Sequence, residues 1–306
     1  MKSKNTMKAI VATKIGSPDY LKLQEVEKPI PKDNEVLIKI HAGTVTIGDA
    51  IMQKMRFIWV IFHLFGMKRK KIPGYEVAGT IETIGKDVTK FKIGDEVFGT
   101  TSGFTHGGNA EYICLPEDWS AGVLETKPSN MSFEEAAAVP IGGMTALHIL
   151  RKGNIHSGDK VLVYGASGSV GSFGVQIAKV LGADVTGVCS TTNIEMVKSL
   201  GASTVIDYTK DDFTKIGEEF DVIFDAVRKT SAKACKKILK KDGIFLSVSD
   251  MSNKETNEKL IYLRDLIETG KLTSAIDKVY PLEKVPEAHK YVNKGHKKGN
   301  VVIKVI

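Results

Sequence analysis

The sequence has few cysteines, and their spacing does not suit a metal site or a disulfide framework. Cys114, Cys189 and Cys235 are the only three in the 306 residues, and no two of them form a Cys-x-x-Cys pair. Isolated thiols are typical of proteins in a reducing compartment, so we expect a cytoplasmic protein. We interpret the three thiols as small core residues.

Long apolar runs are absent as well. The strongest, FIWVIFHLF at 57–65, is far shorter than the roughly 20 residues that a membrane span needs. The opening MKSKNTM is too short and polar for a secretory signal peptide. Basic residues flank the run, including all four of 68–71. A buried helix or an apolar lid beside an active site is one interpretation, and contact of 57–71 with an anionic membrane surface is the alternative.

Acidic residues are outnumbered by basic ones. The chain has 43 Lys and Arg against 36 Asp and Glu, a formal net charge of +7. This balance favours anionic partners. No RNA-binding signature accompanies the charge, so a phosphorylated cofactor is predicted and a nucleic-acid partner is not.

The most informative segment is VLVYGASGSVG, residues 161–171. An apolar β-type run ends at Tyr164, a glycine turn follows, and residues 172–181 have helical spacing. This order is typical of a diphosphate site, because small residues admit the ligand and the helix start carries partial positive charge. The alternative is a tight structural turn. The predicted cofactor contacts in the turn are Gly165, Ala166, Ser167, Gly168, Val170 and Gly171.

The end of the next predicted strand favours NADP(H) over NAD. An acidic residue there would bind the adenosine ribose of NAD. Asp184 lies at the opening end of that strand instead, and the closing end reads Cys189 to Asn193. Hydroxyls and an amide can donate hydrogen bonds to a 2′-phosphate without adding a negative charge.

The chain is long enough for two domains, and its predicted pattern of secondary structure changes along its length. Short strands separated by glycines fill the first part, whereas helices and strands alternate afterwards, as in a doubly wound parallel sheet. The last residues return to strand character. We therefore predict an α/β protein with a β-rich domain at 1–126, completed by 272–306, and a dinucleotide-binding domain at 127–271.

Several long motifs in this order resemble the medium-chain dehydrogenase/reductase superfamily, in its zinc-free quinone oxidoreductase-like branch. The motifs are GYEVAGTIETIGKDVTKFKIGDEVFG (74–99), AEYICLP (110–116), EEAAAVPIGGMTALHIL (134–150), VCSTTN (188–193), SLGASTVIDY (199–208), FDVIFDAV (220–227) and GHKKGNVVIKV (295–305). The resemblance implies a GroES-like catalytic domain interrupted by a Rossmann domain, with the cofactor in the cleft between them.

The zinc chemistry of some relatives is not expected here. Zinc-bearing members have a histidine where this chain has Tyr75, and tyrosine does not replace imidazole as an ordinary zinc ligand. The spacing of His41, His63 and His106 does not provide an alternative site. Without a Lewis acid, alcohol oxidation is disfavoured, whereas hydride delivery to a quinone, enal or enone remains feasible.

The resemblance also implies roles for individual residues. Thr145 should contact the nicotinamide, and Tyr75 should face the substrate. Thr46 stands where the common loop motif has an asparagine before Pro-x-Asp, so its role as a donor is an open question. Residues matching positions around the adenosine phosphate are Ser190, Asn193, Tyr208 and Lys298. Many relatives have an arginine where this chain has Thr192.

Another departure concerns assembly. After residue 249, relatives usually add a last Rossmann strand whose edge pairs across a dimer, whereas 250–257 here is the polar DMSNKETN. We expect a monomer, or a dimer formed by another surface. The alternative function is an NADPH-binding protein of low turnover that acts through a protein partner or a membrane surface.

Overall fold

The computed structural model describes residues 5–54, 72–101, 107–249 and 255–306. Their contacts group into two compact units. One unit contains 1–140, 255–261 and 276–306, and the other contains 141–254 and 262–275. The domain limits predicted from the sequence, at 126 and 272, differ from the limits of these two units and stay predictions. The apolar segment 57–65 and the basic cluster 68–71 lie outside the described residues.

The described residues form fourteen strands and eight helices. The strands are β1 (Thr6–Ala12), β2 (Leu21–Glu27), β3 (Glu35–Thr44), β4 (Glu76–Ile84), β5 (Glu96–Thr100), β6 (Tyr112–Pro116), β7 (Val123–Thr126), β8 (Lys160–Tyr164), β9 (Asp184–Cys189), β10 (Thr204–Asp207), β11 (Phe220–Asp225), β12 (Leu239–Ser247), β13 (Ile276–Pro281) and β14 (Asn300–Lys304). The helices are α1 (Ile47–Lys54), α2 (Phe133–Ala137), α3 (Pro140–Arg151), α4 (Ser169–Val180), α5 (Ile194–Ser199), α6 (Ala232–Cys235), α7 (Asn257–Glu268) and α8 (Val285–Asn293).

The first unit is a β-rich, GroES-like module. Its main sheet has the strand order β13-β14-β3-β4-β5-β7. Strand β6 also pairs with β3, outside this order. Alternate residues of β3 (Val36, Ile38 and Ile40) point into one core, because side chains on one face of a strand recur every second residue. Among the described residues, no helix is long and apolar enough to cross a membrane.

The second unit is a doubly wound parallel sheet, as predicted. Its strand order is β10-β9-β8-β11-β12. Successive strands are added on one side of the central strand β8 up to β10 and on its other side from β11, so the strand order reverses beside β8. In such sheets, ligands bind at the carboxyl ends of the strands near this reversal. Tyr164 pairs in register with Asp225, and Cys189 pairs with Asp207, so four strands end together there.

The described part of this sheet ends at β12, and that edge is irregular. Phe220 of β11 pairs with Leu239, but Val222 pairs with Ile244, so residues 240–243 bulge out of the ladder. Strand β12 therefore begins at Leu239, before the bulge. Residues 250–254, on which part of the assembly prediction depends, lie outside the described residues.

Candidate active site and cofactor-binding site

The glycine turn after β8 has the geometry predicted for it. Gly165 has φ of +79°, a conformation that favours glycine, and the N–H groups of Gly165 and Ala166 both donate to the Val188 carbonyl at 3.0 Å. A Cβ on Gly171 would lie 2.1 Å from the Gly165 carbonyl oxygen. The turn thus closes tightly against the start of the helix and depends on glycine at both positions.

Helix α4 begins at Ser169, three residues before the start expected from apolar spacing. The spacing missed its first turn because that turn is polar and glycine-rich, with Gly168 as N-cap and no side chain capping the helix. A Cβ on Gly168 would meet only the Gly165 oxygen at 3.4 Å and Val227 at 3.9 Å. Ser167, Gly168 and Val170 are partly exposed, whereas Ala166 and Gly171 are buried. This open, uncapped helix start fits a diphosphate.

Three predicted cofactor residues meet beside the turn. The Asn193 amide Nδ2 donates to Ser167 Oγ and to Ser190 Oγ, each at 3.1 Å. Ser167 belongs to the glycine turn, whereas Ser190 precedes and Asn193 ends the short 3-10 turn Thr191–Asn193 that follows β9. The amide therefore links the glycine turn to the end of the neighbouring strand.

The last two predicted cofactor residues lie in different units. Tyr208 directly follows β10, donates its backbone N–H to the Cys189 carbonyl at 3.1 Å, and is half exposed. Lys298 belongs to the β-rich unit, where it is exposed and its N–H donates to Asp277 at 3.1 Å.

The sequence reasoning missed Asp207, a carboxylate at the end of β10. Its side chain is buried and accepts hydrogen bonds from the Thr191 hydroxyl and from Thr209 N and Oγ1, at 3.0 and 2.7 Å. These bonds, led by the one from Thr191, lower the pKa of Asp207. Residues 189–193 contain no acidic side chain, but parallel pairing brings the carboxylate of Asp207 beside Cys189.

Thr145 lies on α3, close to the start of α4. A Cβ on Gly142, one turn earlier on the same helix, would lie 2.9 Å from Ser169 Oγ and 3.1 Å from the Phe173 ring. Residues three apart share a helix face, so Thr145 is on the side of α3 that faces α4. It is partly exposed.

In the β-rich unit, Thr46, Asp49 and Tyr75 form a polar cluster. Thr46 donates to Asp49 Oδ2 from its N–H at 2.8 Å and from its hydroxyl at 2.6 Å, which caps the start of α1. Burial raises the pKa of Asp49 to about 6, and Oδ1 makes no hydrogen bond of standard geometry within the described part of the chain. The Thr-x-x-Asp spacing signals this cap in the sequence.

Tyr75 is half-buried just before β4, and its carbonyl accepts from the Thr101 N–H at 2.7 Å. Burial, followed by the negative charge of Asp49, raises the pKa of the Tyr75 phenol. The phenol therefore stays protonated at neutral pH and can act as a hydrogen-bond donor.

Two further polar residues lie near this cluster. Glu76 is buried and accepts a hydrogen bond from the Thr44 hydroxyl. Lys297 donates to the Gly299 carbonyl at 2.6 Å, and burial lowers its pKa to about 8 although Glu76 and Asp277 act against this. Neither residue was predicted to be functional from the sequence.

The described residues contain no group of three or more His, Cys, Asp or Glu side chains that could hold a metal ion. His41 stacks on Phe133 with ring centroids 4.1 Å apart, and its Nε2 lies 3.1 Å from Thr80 Oγ1. These contacts are those of a packing residue. His63 and His106 lie outside the described residues.

Comparisons with known proteins agree with this architecture. Residues 32–126 match the family described as "Alcohol dehydrogenase GroES-like domain", and 169–277 match "Zinc-binding dehydrogenase". A 2-methylene-furan-3-one reductase of Solanum lycopersicum is 35% identical over 97% of this chain and 79% of its own length. An "NADPH-dependent alkenal/one oxidoreductase, chloroplastic" of Arabidopsis thaliana is 33% identical with the same coverage.

Solved structures share the fold. The quinone oxidoreductase from Coxiella burnetii superimposes with a TM-score of 0.82 at 28% identity, covering 98% of this chain and all of the other. The glycine turn, the two kinds of unit and these relatives lead to one assignment. The chain belongs to the medium-chain dehydrogenase/reductase superfamily, in its quinone oxidoreductase-like branch.

Proposed function

We propose that this protein is a zinc-independent, NADPH-dependent oxidoreductase that transfers hydride to a quinone or to an α,β-unsaturated carbonyl compound. The observation that carries the proposal is the Tyr75 phenol, kept protonated beside Asp49, where zinc-bearing relatives have a metal ligand. The names of two relatives, an alkenal/one oxidoreductase and a furanone reductase, support the substrate class.

The Rossmann unit provides the residues that would hold NADP(H). Backbone N–H groups at the open start of α4 would bind the diphosphate, and Thr145 on α3 would contact the nicotinamide. Ser190, Asn193 and Tyr208 would recognise the phosphate on the adenosine ribose, and Lys298, in the β-rich unit, keeps the role in phosphate binding that the resemblance implies. When bound, the reduced cofactor supplies a hydride. The donors after β9 favour NADPH over NADH by one to two orders of magnitude, or about 1.4 to 2.8 kcal/mol.

The β-rich unit provides the electrophilic assistance. Tyr75 would donate an O–H hydrogen bond to the substrate's carbonyl oxygen and stabilise the negative charge that develops there. A proton from water completes the reduced product. Thr46 uses its hydroxyl proton on Asp49, so it acts here by positioning the carboxylate rather than by touching substrate.

The other properties of the protein follow from this proposal. The substrate is a small molecule and nucleic acid is not a partner, since the positive net charge serves a phosphorylated cofactor. We place the protein in the cytoplasm, in line with its three cysteines, which the sequence spaces too far apart for a Cys-x-x-Cys pair. Membrane contact through 57–71 is not required.

Steady-state oxidation of NADPH against a panel of quinones, enals and enones tests the proposal. We expect acceptor-dependent turnover that survives dialysis against a chelator. About one zinc per chain by elemental analysis, lost together with activity, would refute the zinc-independent mechanism. Tight NADPH binding without turnover on any acceptor would instead favour the low-turnover alternative.

A further inference from the structure

A short motif, Asp-aromatic-Thr-Lys, occurs twice in succession after β10. The first copy is 207–210, DYTK, and the second is 212–215, DFTK. In each copy the Asp Oδ1 accepts from the N–H and the hydroxyl of the Thr two residues later, at 3.0 and 2.7 Å in both. The Lys of each copy lies near the Asp Oδ2, at 3.8 Å for Lys210 and 3.1 Å for Lys215. The two turns are chemically equivalent.

The copies differ in their contacts with Thr191, whose hydroxyl lies 3.1 Å from Thr209 Oγ1 of the first copy. Asp207 Oδ2 also accepts a hydrogen bond from the hydroxyl of Thr191, which lies on the 3-10 turn after β9. The Asp207 side chain is 6% exposed, whereas that of Asp212 is 46% exposed. Only the first copy therefore combines the local turn with a contact to a neighbouring strand end.

Thr191 sits between two residues proposed to recognise the cofactor. Ser190 precedes it, and Asn193 ends the same turn and binds both Ser190 and Ser167 through its amide. Fixing the Thr191 hydroxyl fixes the turn that presents these donors. Preorganised donors retain more binding energy, because less conformational entropy is lost on binding.

We propose that Asp207 is a positioning residue for cofactor specificity: by holding Thr191, it orients Ser190 and Asn193 toward a 2′-phosphate and so favours NADPH over NADH. This inference rests on the proposed NADP(H) binding. Both carboxylate oxygens of Asp207 are engaged in hydrogen bonds within the protein. Oδ1 accepts from the N–H and the hydroxyl of Thr209, and Oδ2 accepts from the hydroxyl of Thr191. Those bonds also lower its pKa and keep it ionised at neutral pH.

Four variants separate this role from simple charge repulsion. Asp207→Ala and Thr191→Val each remove the hydrogen bond between Thr191 and Asp207, and Thr191→Val leaves the Asp207 turn intact. Asp207→Asn keeps the hydrogen bond to Thr191. The asparagine oxygen still accepts from Thr209, and the asparagine NH₂ group donates to the Thr191 hydroxyl. Asp212→Ala removes the equivalent turn of the second copy and is the matched control.

The measurement is the dissociation constant of each variant for NADPH and for NADH, by calorimetry. Asp207→Ala and Thr191→Val should each weaken NADPH binding about five- to tenfold and leave NADH within about twofold. The double variant should be no weaker than either single one, because the two residues act through one bond. Asp207→Asn and Asp212→Ala should keep the wild-type ratio.

Other results would overturn the inference. Tighter NADPH binding in both Asp207→Ala and Asp207→Asn would mean that the carboxylate only repels phosphate, and additive losses would mean that Thr191 and Asp207 act separately. Equal wild-type affinities for the two cofactors would refute the specificity role while leaving dinucleotide binding intact. A wild-type protein that binds neither cofactor would refute the proposed function itself.

Discussion

The Thr46 hydroxyl donates a 2.6 Å hydrogen bond to the Asp49 carboxylate, whose negative charge acts on the Tyr75 phenol. It anchors a buried acid at the start of α1, where burial raises the pKa of Asp49 to about 6. At neutral pH the acid is mainly ionised, and its charge helps to keep the Tyr75 phenol protonated. The cluster thus provides a neutral hydrogen-bond donor whose protonation does not change across physiological pH.

Tyr75→Phe tests this donor. Removal of one preorganised donor from a developing oxyanion costs about 100-fold in kcat, so we expect a loss of that order with the dissociation constant of NADPH unchanged. The matched control is Tyr112→Phe, which removes a phenol bonded to Glu82 in the same unit. A Tyr75→Phe enzyme with wild-type kcat would remove Tyr75 from the mechanism.

Gly168→Asp should abolish cofactor binding without unfolding the chain. The new carboxylate would occupy the open start of α4 and repel the diphosphate. Gly168→Ala is the control, because its Cβ makes only an ordinary 3.4 Å contact with the Gly165 oxygen. Calorimetry should detect no NADPH binding to Gly168→Asp, with an unchanged circular dichroism spectrum. Normal affinity in this variant would place the cofactor elsewhere.

The sequence predicts local features of the site better than features that depend on strand register. The glycine turn was identified because strand, turn and helix are contiguous, and Asp184 was correctly placed at the opening end of β9. Asp207 was missed because its relation to Thr191 comes from parallel pairing of two separate strands. The bulge at 240–243 likewise depends on pairing with β11.

Exposure and capping account for other differences. Strand β2 was not predicted, since only Leu21 among its residues is buried and no alternation is visible. For Thr46, the resemblance left the role as a donor open, whereas the Thr-x-x-Asp spacing predicts the helix cap that the structure has. The substrate-side roles of Tyr75 and Thr145 stay predictions.

His289 should make the folded state sensitive to acid. It is buried in α8, neither ring nitrogen has a hydrogen-bond partner within the described residues, and burial lowers its pKa to about 4. The unfolded chain, with a pKa of 6.5 there, binds the proton first, so stability falls as pH drops from about 6.5 to 4. The loss attributable to this residue is on the order of 3 kcal/mol.

The measurement is the free energy of unfolding of wild type and His289→Leu between pH 4 and 7.5. Asp49, with its raised pKa, contributes in the opposite direction over part of this range, so the difference between the two curves isolates His289. The free energy of unfolding of His289→Leu should increase relative to that of the wild type as pH falls. His296→Leu, which removes an exposed imidazole, is the control. Parallel curves for wild type and His289→Leu would contradict the assignment.

The protein should be monomeric, or should dimerise by a surface other than the edge of the parallel sheet. The edge strand β12 is interrupted by the bulge at 240–243, which carries Lys240 and Lys241, and such features prevent edge-to-edge pairing. Light scattering should give the mass of one chain. A stable dimer, with a structure showing a continuous sheet across its two-fold axis, would refute this prediction.

The central claim is hydride transfer from NADPH to an electrophilic carbon, and an isotope label tests it most directly. The purified protein is incubated with an enone and with NADPH deuterated at C4 of the nicotinamide, and the product is analysed by NMR. We predict acceptor-dependent oxidation of NADPH and deuterium on the β-carbon of the saturated ketone. NADPH oxidation that is independent of the acceptor, or a product without deuterium at that carbon, would contradict the account.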